Sequence, residues 1–389
     1  MKHTQQINSK KHLAIGIVCY PSVGGSGIVA TQLGTELARL GHKVHFISYD
    51  EPFKLDTNEP NISFDKVTFN GYELFKYPDY TLPLAVKMVD VSRKYKLDIL
   101  HVHYAVPHAT AALLAKSIAN EEKLPFPHVV TTLHGTDITL LGRDKTVMPV
   151  IKYSIESSCG VTAVSESLKK DTVKVLKTKK EIKVIHNFYN PKIPTKSRES
   201  IRASVGVRDD EFLAIHLSNL RPVKRIPDLI EIIKKVKKHP RIKLLVLSGG
   251  DFSVFQPLVK KHGLENRIIV LPRVLDIENY ISASDLGIYT SEEESFGMGI
   301  LETLAYGKPV LATRAGGIPE FMSNAKTGFL FKIGDTDSMA QKLIELSKNP
   351  ELVDSLGKNA KTIAQSQFTP EAKVQEYVEY YRRVIASGK

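Results

Sequence analysis

From end to end, short runs rich in Val, Ile and Leu alternate with amphipathic stretches, and few folds accept that alternation. The first set of runs is LAIGIVCY (13–20), KVHFISY (43–49), ISFDKVTF (62–69), LDILHVHY (97–104), HVVTTLHG (128–135), CGVTAVS (159–165) and IKVIHNF (182–188). Helical stretches, 27–41 and 82–96 among them, separate several of these runs. Near-continuous apolar strands divided by helices are the pattern of a parallel sheet covered on both faces. The segment YNPKIPTKSRES (189–200) interrupts the pattern with prolines and polar residues and reads as a linker. The alternation then restarts with FLAIHLSN (212–219), IKLLVLSGG (242–250), RIIVLPRV (267–274), DLGIYTS (285–291), PVLATRA (309–315) and TGFLFK (327–332). The fold class is thus α/β, with two Rossmann-like, doubly wound parallel-sheet domains, residues 1–190 and 191–369, facing a cleft. The tail reads as a helix over 370–389, with Thr369 as N-cap and Pro370 at its first position. Its Val374, Tyr377, Val378 and Tyr381 share one face, and the first domain is the surface expected to cover it.

Two cysteines, Cys19 and Cys159, build neither a disulfide framework nor a cysteine-rich metal site, which fits a reduced, cytoplasmic compartment. Lys2, Lys10 and Lys11 precede an apolar run too short for a signal core or a membrane span, and a glycine loop follows where a cleavage site would stand. The net charge of +12 favours anionic partners, although most of the lysines read as a solvated surface. No aromatic residues interleave the basic stretches as base-stacking requires, so nucleic acid is not an expected partner. No basic amphipathic helix with exposed aromatics argues for stable membrane association.

PSVGGSGIVATQLG (21–34) sets a glycine loop between an expected strand and an expected helix. Gly25-Ser26-Gly27-Ile28-Val29-Ala30 satisfies the G-x-G-x-x-A dinucleotide fingerprint, and Asp50 ends the second run near where a ribose contact would stand. Yet Pro21, Ser22 and Val23 separate the strand from the glycines, where the fingerprint has its first glycine at the strand end. A loop of this kind still aims backbone N–H groups and a helix N-terminus at an anion. A phosphate or carboxylate site, an NAD(P) site and a plain tight turn all remain open at this point.

The second half is more specific. In SEEESFGMGILETLAYGKPVLATRAGGIPEF (291–321), Glu294 precedes and Glu302 lies within a helix starting near Gly297. Between them, Ser295-Phe296-Gly297-Met298-Gly299 sets small residues at that helix N-terminus, an anion-binding geometry. Carboxylates beside a phosphate cradle suit ligands rich in hydroxyls. Upstream, SNLRPVKR (218–225) puts Arg221, Lys224 and Arg225 after the domain's first strand, at the sheet edge where ligands bind. Cations there can neutralise a departing diphosphate.

These two motifs, with GGIPE (316–320) and HGTD (134–137), resemble the retaining GT-B glycosyltransferases of family 4 over nearly the whole chain. The resemblance implies that Glu294 contacts the donor sugar, that Glu302 takes the ribose hydroxyls, and that amides from Phe296, Gly297, Met298 and Gly299 bind sugar and phosphate. It further implies that Lys224 and a nearby arginine stabilise the leaving UDP. The family arginine normally stands five residues before that lysine, where this chain has Asn219; Arg221 is the expected substitute. CYPSVGGSG (19–27), NGYELFKYPDY (70–80), LDILHVHYAVPH (97–108) and TTLHGTDITLLG (131–142) resemble the branch of family 4 that moves N-acetylglucosamine from UDP-GlcNAc to L-malate, opening bacillithiol synthesis. SNLRPVKR with its asparagine matches that branch.

Within this resemblance Gly25 touches both donor and acceptor, and Ser26, Tyr104, Thr132 and Lys152 are acceptor-binding positions. His134 approaches the 6-hydroxyl of the donor sugar. His101, His103 and His108 suggest a metal, but no carboxylate or cysteine completes a set nearby, and no metal is expected. GDTDS (334–338) contains a D-x-D, yet it precedes MAQKLIEL, so Asp335 or Asp337 reads as a helix cap. Another family 4 enzyme with a lipid or polysaccharide acceptor is the nearest competing reading, and an NAD(P)-binding oxidoreductase a distant one. Homo-oligomerisation and tolerance of UDP-glucose are left open.

Overall fold

A computed structural model of the chain describes residues 12–22, 24–68 and 80–388. The basic Lys2, Lys10 and Lys11, Val23 of the glycine segment, and all but Tyr80 of NGYELFKYPDY lie outside the described residues. The chain divides into two compact units, Met1–Asn187 with Pro370–Lys389, and Phe188–Thr369.

In the first unit, β1 (Ala14–Val18), β2 (Lys43–Ser48), β3 (Ile62–Lys66), β4 (Ile99–His103), β5 (His128–Leu133), β6 (Gly160–Ala163) and β7 (Lys183–Val184) form one parallel sheet. Its order is β3-β2-β1-β4-β5-β6-β7, so the winding reverses between β1 and β4. The alternation of β4 sorts its side chains by face. Leu100 and Val102 join Val18, Leu84, Met88, Ala112 and Ala115 in a core built with the helices Thr81–Tyr95 and Thr110–Glu121. His101 points the other way, to the C-terminal helix Pro370–Ala386, whose Tyr381 hydroxyl lies 2.7 Å from its Nδ1. On that helix Val374, Tyr377, Val378 and Tyr381 are buried, as is Tyr380, whose hydroxyl accepts from the Val161 amide at 2.9 Å. The helix is thus an integral layer of the first unit.

The second unit holds β8 (Phe212–Ser218), β9 (Ile242–Ser248), β10 (Ile268–Pro272), β11 (Leu286–Tyr289), β12 (Val310–Thr313) and β13 (Gly328–Phe331), parallel throughout, in the order β10-β9-β8-β11-β12-β13. Here the winding reverses between β8 and β11. The helix Ile226–Lys235 buries Ile226, Leu229, Ile230, Ile232 and Ile233 against one face, the spacing of a core-facing helix. Truncating Ile230 to Ala would cost about 2–5 kcal/mol.

The segment read as a linker is partly ordered structure. Ser197 caps a helix over Arg198–Ser204, its hydroxyl accepting from the Ser200 amide at 3.2 Å. Just before it, the Asn279 side chain accepts from the Thr195 and Lys196 amides at 2.8 and 3.0 Å. Arg202 on this helix is fully buried, donating to the Arg208 carbonyl at 2.8 Å and to the Glu211 and Ala283 carbonyls. A guanidinium that meets so many fixed acceptors holds the segment onto the second unit. Further along, the Asp335 carboxylate accepts from the Ser338 amide at 3.1 Å, capping Thr336–Ser347.

Candidate functional site

In an open doubly wound sheet, ligands bind beyond the carboxyl ends of the strands where the winding reverses. In the second unit that point joins the loops after β8 and β11, which carry Lys224 and Glu294. Lys224 ends a short turn, Pro222–Lys224, and its Nζ donates to Glu294 Oε1. The same carboxylate oxygen accepts from the Ser291 hydroxyl at 2.9 Å. Two further hydrogen bonds fix the loops together: Thr290 Oγ1 donates to the Lys224 carbonyl at 3.0 Å, and the Glu292 amide to the Val223 carbonyl at 2.8 Å. Both charged side chains are largely buried, with 18% and 12% of their surface exposed, so the pair is weakly screened.

GGIPE acts as a strap on this loop. The Gly317 amide donates to the Glu294 carbonyl at 2.9 Å. Gly316 has φ +50°, and a Cβ there would stand 1.8 Å from the same oxygen. Behind Glu294 the helix Met298–Ala305 begins, entered through Gly297 at φ +108°. Gly299 lets it approach the sheet, since a Cβ there would sit 2.9 Å from the Leu217 carbonyl. The buried Phe296 ring stacks on Phe321 at 4.7 Å and locks the entrance of the helix. Met298 and Glu302 are partly exposed on this helix. Burial raises the Tyr289 pKa, and the negative charges of Glu302 and Glu294 add to it, so both carboxylates bear on one point of the unit. A cation, two carboxylates and a helix N-terminus are therefore gathered at one sheet edge.

Asn219 and Arg221 occupy the exposed part of the β8 loop. Arg225, at the end of the same loop, pairs with Asp228 at 2.7 Å and Glu292 at 3.0 Å. Sequence reasoning overlooked the pair of glycines after β9. The Gly249 amide donates to the Ser218 carbonyl at 2.9 Å, and a Cβ on Gly250 would lie 2.7 Å from the Asn219 carbonyl. Two glycines directly after a strand were the available signal. Beneath the edge, His216 donates from Nδ1 to the Ile288 carbonyl at 2.8 Å and takes the Ser218 hydroxyl on Nε2 at 2.8 Å, tying β8 to β11. Burial lowers its pKa to about 4, so it is neutral.

In the first unit the reversal joins the loops after β1 and β4. The helix Ser26–Arg39 starts at Gly25, whose φ of +57° favours glycine. Gly27 serves a different need: a Cβ there would meet the Ser22 and Tyr20 carbonyls at 2.7 and 2.8 Å. Ser26 is buried, whereas Gly25 is exposed. Tyr104 follows β4 at φ +84° and is half-buried, its ring 5.7 Å from Tyr20 and 5.2 Å from His134. Burial, with neighbouring Tyr104 and Tyr49, pushes the Tyr20 pKa up to about 12. Asp50, the residue a dinucleotide reading would use, is exposed and lies 3.5 Å from Lys66.

His134 follows β5, with Nε2 2.8 Å from Nδ1 of the buried His103. Burial lowers its pKa to about 3. The loop is pinned by Asp137, fully buried, which accepts from the Gly135 amide at 2.9 Å and the Ala105 amide at 3.2 Å. Burial raises the Asp137 pKa to about 6 against the pull of those amides. One carboxylate thereby fixes both the Tyr104 and the His134 loops, a link that the letters HGTD do not disclose.

Thr132, whose hydroxyl the sequence reading offers to an acceptor, is fully buried, with Oγ1 2.6 Å from both His101 Nε2 and Thr162 Oγ1. Lys152 lies on the helix Met148–Ser157, 39% exposed and 3.9 Å from Glu156. Among the described residues, no group of three or more His, Cys, Asp or Glu is arranged to hold a metal ion, and no helix is long and apolar enough to cross a membrane.

Comparison with known proteins falls on both units. A family described as Glycosyltransferase Family 4 matches residues 23–192, and one described as Glycosyl transferases group 1 matches residues 197–363. The N-acetyl-alpha-D-glucosaminyl L-malate synthase of Bacillus anthracis is 42% identical over 379 residues, 97% of this chain and 98% of its own length. A glycosyltransferase structure from Rickettsia africae gives a TM-score of 0.81 at 23% identity, covering 97% of this chain and 99% of that one. The Anabaena protein Alr3699/HepE, solved in complex with UDP-glucose, gives a TM-score of 0.79 at 22% identity, over 96% of this chain and 100% of its own. These likenesses extend to the fold of both units.

Proposed function

The chain belongs to the glycosyltransferase family that contains the N-acetyl-alpha-D-glucosaminyl L-malate synthase of Bacillus anthracis, and on that premise we propose that it moves N-acetylglucosamine from UDP-GlcNAc to the hydroxyl of L-malate, releasing UDP. The observation that carries the reading is the Lys224–Glu294 pair at the reversal point of the second sheet, beside the N-terminus of Met298–Ala305. Each member has a complementary partner in a nucleotide sugar: the ammonium in the diphosphate, the carboxylate in the sugar hydroxyls. The amides of Phe296, Gly297, Met298 and Gly299 add donors for phosphate and sugar oxygens, and Glu302 takes the ribose. The choice of malate is supported by the 42% identical relative. Gly25, Ser26 and Tyr104 are the groups assigned to its carboxylates, with Lys152 as a supporting cation.

In this reading transfer proceeds with retention. The malate hydroxyl oxygen forms its bond to the anomeric carbon on the face from which UDP departs, the bond from that carbon to the phosphate oxygen breaks, and the hydroxyl proton passes to that departing oxygen. Lys224 stabilises the charge that grows on the diphosphate, and positioning supplies much of the remainder. The reaction then needs no metal, and the compartment assigned is the cytoplasm.

UDP release from UDP-GlcNAc in EDTA tests the proposal, with L-malate, with D-malate and with no acceptor. Release that depends on L-malate is the expected result. Slow release indifferent to malate would overturn the acceptor and direct attention to lipid or polysaccharide acceptors. Neither release nor UDP binding would overturn the donor as well.

A further inference from the structure

We infer that His103 is a positioning residue that sets the tautomer of His134, placing the His134 proton on Nδ1. The significance of this for turnover rests on the role proposed above for the first unit's site; the tautomer itself does not. His103 ends β4, beside β5, and its ring is fully buried. Its Nδ1 lies 2.8 Å from His134 Nε2, so one of these two nitrogens carries the shared proton. The other nitrogen of His103, Nε2, is buried with no hydrogen-bond partner among the described residues. If His103 accepted the bond, its own proton would sit on that Nε2 as a buried, unpaired N–H. An unmet donor of this kind costs about 1–3 kcal/mol, whereas an unmet acceptor is better tolerated. His103 therefore carries its proton on Nδ1 and donates.

His108 obeys the same rule without ambiguity. Its Nδ1 bonds the His103 carbonyl oxygen, which can only accept, so its partnerless buried Nε2 is a bare lone pair. The rings of His103 and His134 are neutral, because burial holds both well below the usual histidine range. With Nε2 occupied as an acceptor, His134 must keep its one proton on Nδ1. Among the described residues nothing else bonds to that Nδ1. A free histidine in water favours the opposite tautomer, so the bond from His103 reverses the resting preference. His134 thus presents a neutral N–H donor to a sugar or acceptor oxygen and offers no lone pair with which to take a proton as a base.

The test is a long-range proton–nitrogen correlation spectrum of the full chain labelled with 15N-histidine, with His134→Ala to assign the resonance. The wild type should show His134 protonated on Nδ1. In His103→Leu it should move to the Nε2-protonated form while turnover falls about tenfold, the equivalent of one lost hydrogen bond, and KM for UDP-GlcNAc changes by less than about twofold. His103→Asn, whose amide N–H stands near the place of Nδ1, should retain both tautomer and turnover. A wild-type His134 protonated on Nε2, or an unchanged tautomer in His103→Leu, overturns the inference. Should neither variant fold, the wild-type spectrum alone decides. Normal transfer by His134→Ala would remove the catalytic consequence and leave the tautomer assignment standing.

Discussion

Lys224 and Glu294 neutralise each other across the ends of β8 and β11, and in the proposed function each complements a different part of a nucleotide sugar. Replacing Lys224 by Ala removes the charge proposed to face the departing diphosphate, and kcat for UDP release should fall by about 100-fold or more. The loss should appear in KM and more strongly in kcat, because the diphosphate is charged in bound UDP-GlcNAc and gains further charge as the bond breaks. Lys224→Ala turning over within about threefold of wild type would end this account of leaving-group stabilisation. These two residues were legible in the sequence because a fixed loop length after a strand brings them to a sheet edge whatever the rest of the chain does. The partners of the Thr132 hydroxyl were not, because the direction of a hydroxyl is decided by tertiary packing. Those partners, Thr162 and His101, come from strands 30 residues or more away in sequence. His103 escaped for the same reason: its role depends on one hydrogen bond and one orphaned nitrogen, neither of which a motif contains.

Strands and helices position these groups through a few close approaches. The strap from Gly316 and Gly317 onto the Glu294 carbonyl is the tightest, and glycine is required there twice over, by φ +50° and by the 1.8 Å clearance. In Gly316→Ala the loop carrying Glu294 must move, and UDP-GlcNAc affinity should fall about tenfold or more in calorimetry, with a loss of stability of about 1–3 kcal/mol. Unchanged affinity would show that the strap does not hold the carboxylate in place. The C-terminal helix provides a second case. Tyr381→Phe deletes a buried hydroxyl 2.7 Å from His101 Nδ1 and should destabilise the first unit by about 1–3 kcal/mol in urea unfolding. An m-value unchanged from wild type would assign the loss to that bond. At this scale periodicity disclosed where the strands lie, and the apolar face of the last helix disclosed that it must be covered. What periodicity could not disclose was that the helix Arg198–Ser204 begins within the end of the Pro-rich stretch, since that helix is held by Arg202 reaching carbonyls from other segments.

Over the whole molecule the two units share a topology but differ in what they bury. In the first, His42, His45, His101, His103, His108 and His134 all have pKa values lowered by burial, to about 4 for His42, His45 and His108, to about 3 for His101 and His134, and well below the usual value for His103. In the second unit His216, at about 4, is the one histidine so shifted among the described residues. A histidine near pH 6.5 when unfolded and near 3–4 when folded binds its proton only in the unfolded chain between those values. Stability therefore falls as pH drops below about 6.5, by up to about 1.4 kcal/mol per pH unit for each such histidine. Asp137 opposes this, because its folded pKa of about 6 exceeds the ordinary carboxylate value, so the folded state gains protons as pH falls toward 4. One carboxylate does not offset six imidazoles, and the net slope in the first unit is destabilising. Two-state unfolding should thus give way at acid pH to separate transitions. Hydrogen exchange followed peptide by peptide at pH 7.5 and pH 5 should show β4, β5 and Pro370–Ala386 losing protection well before β8, β9 and Ile226–Lys235. Equal loss in both units would mean that the buried histidines of the first unit find protons, or partners, without unfolding it.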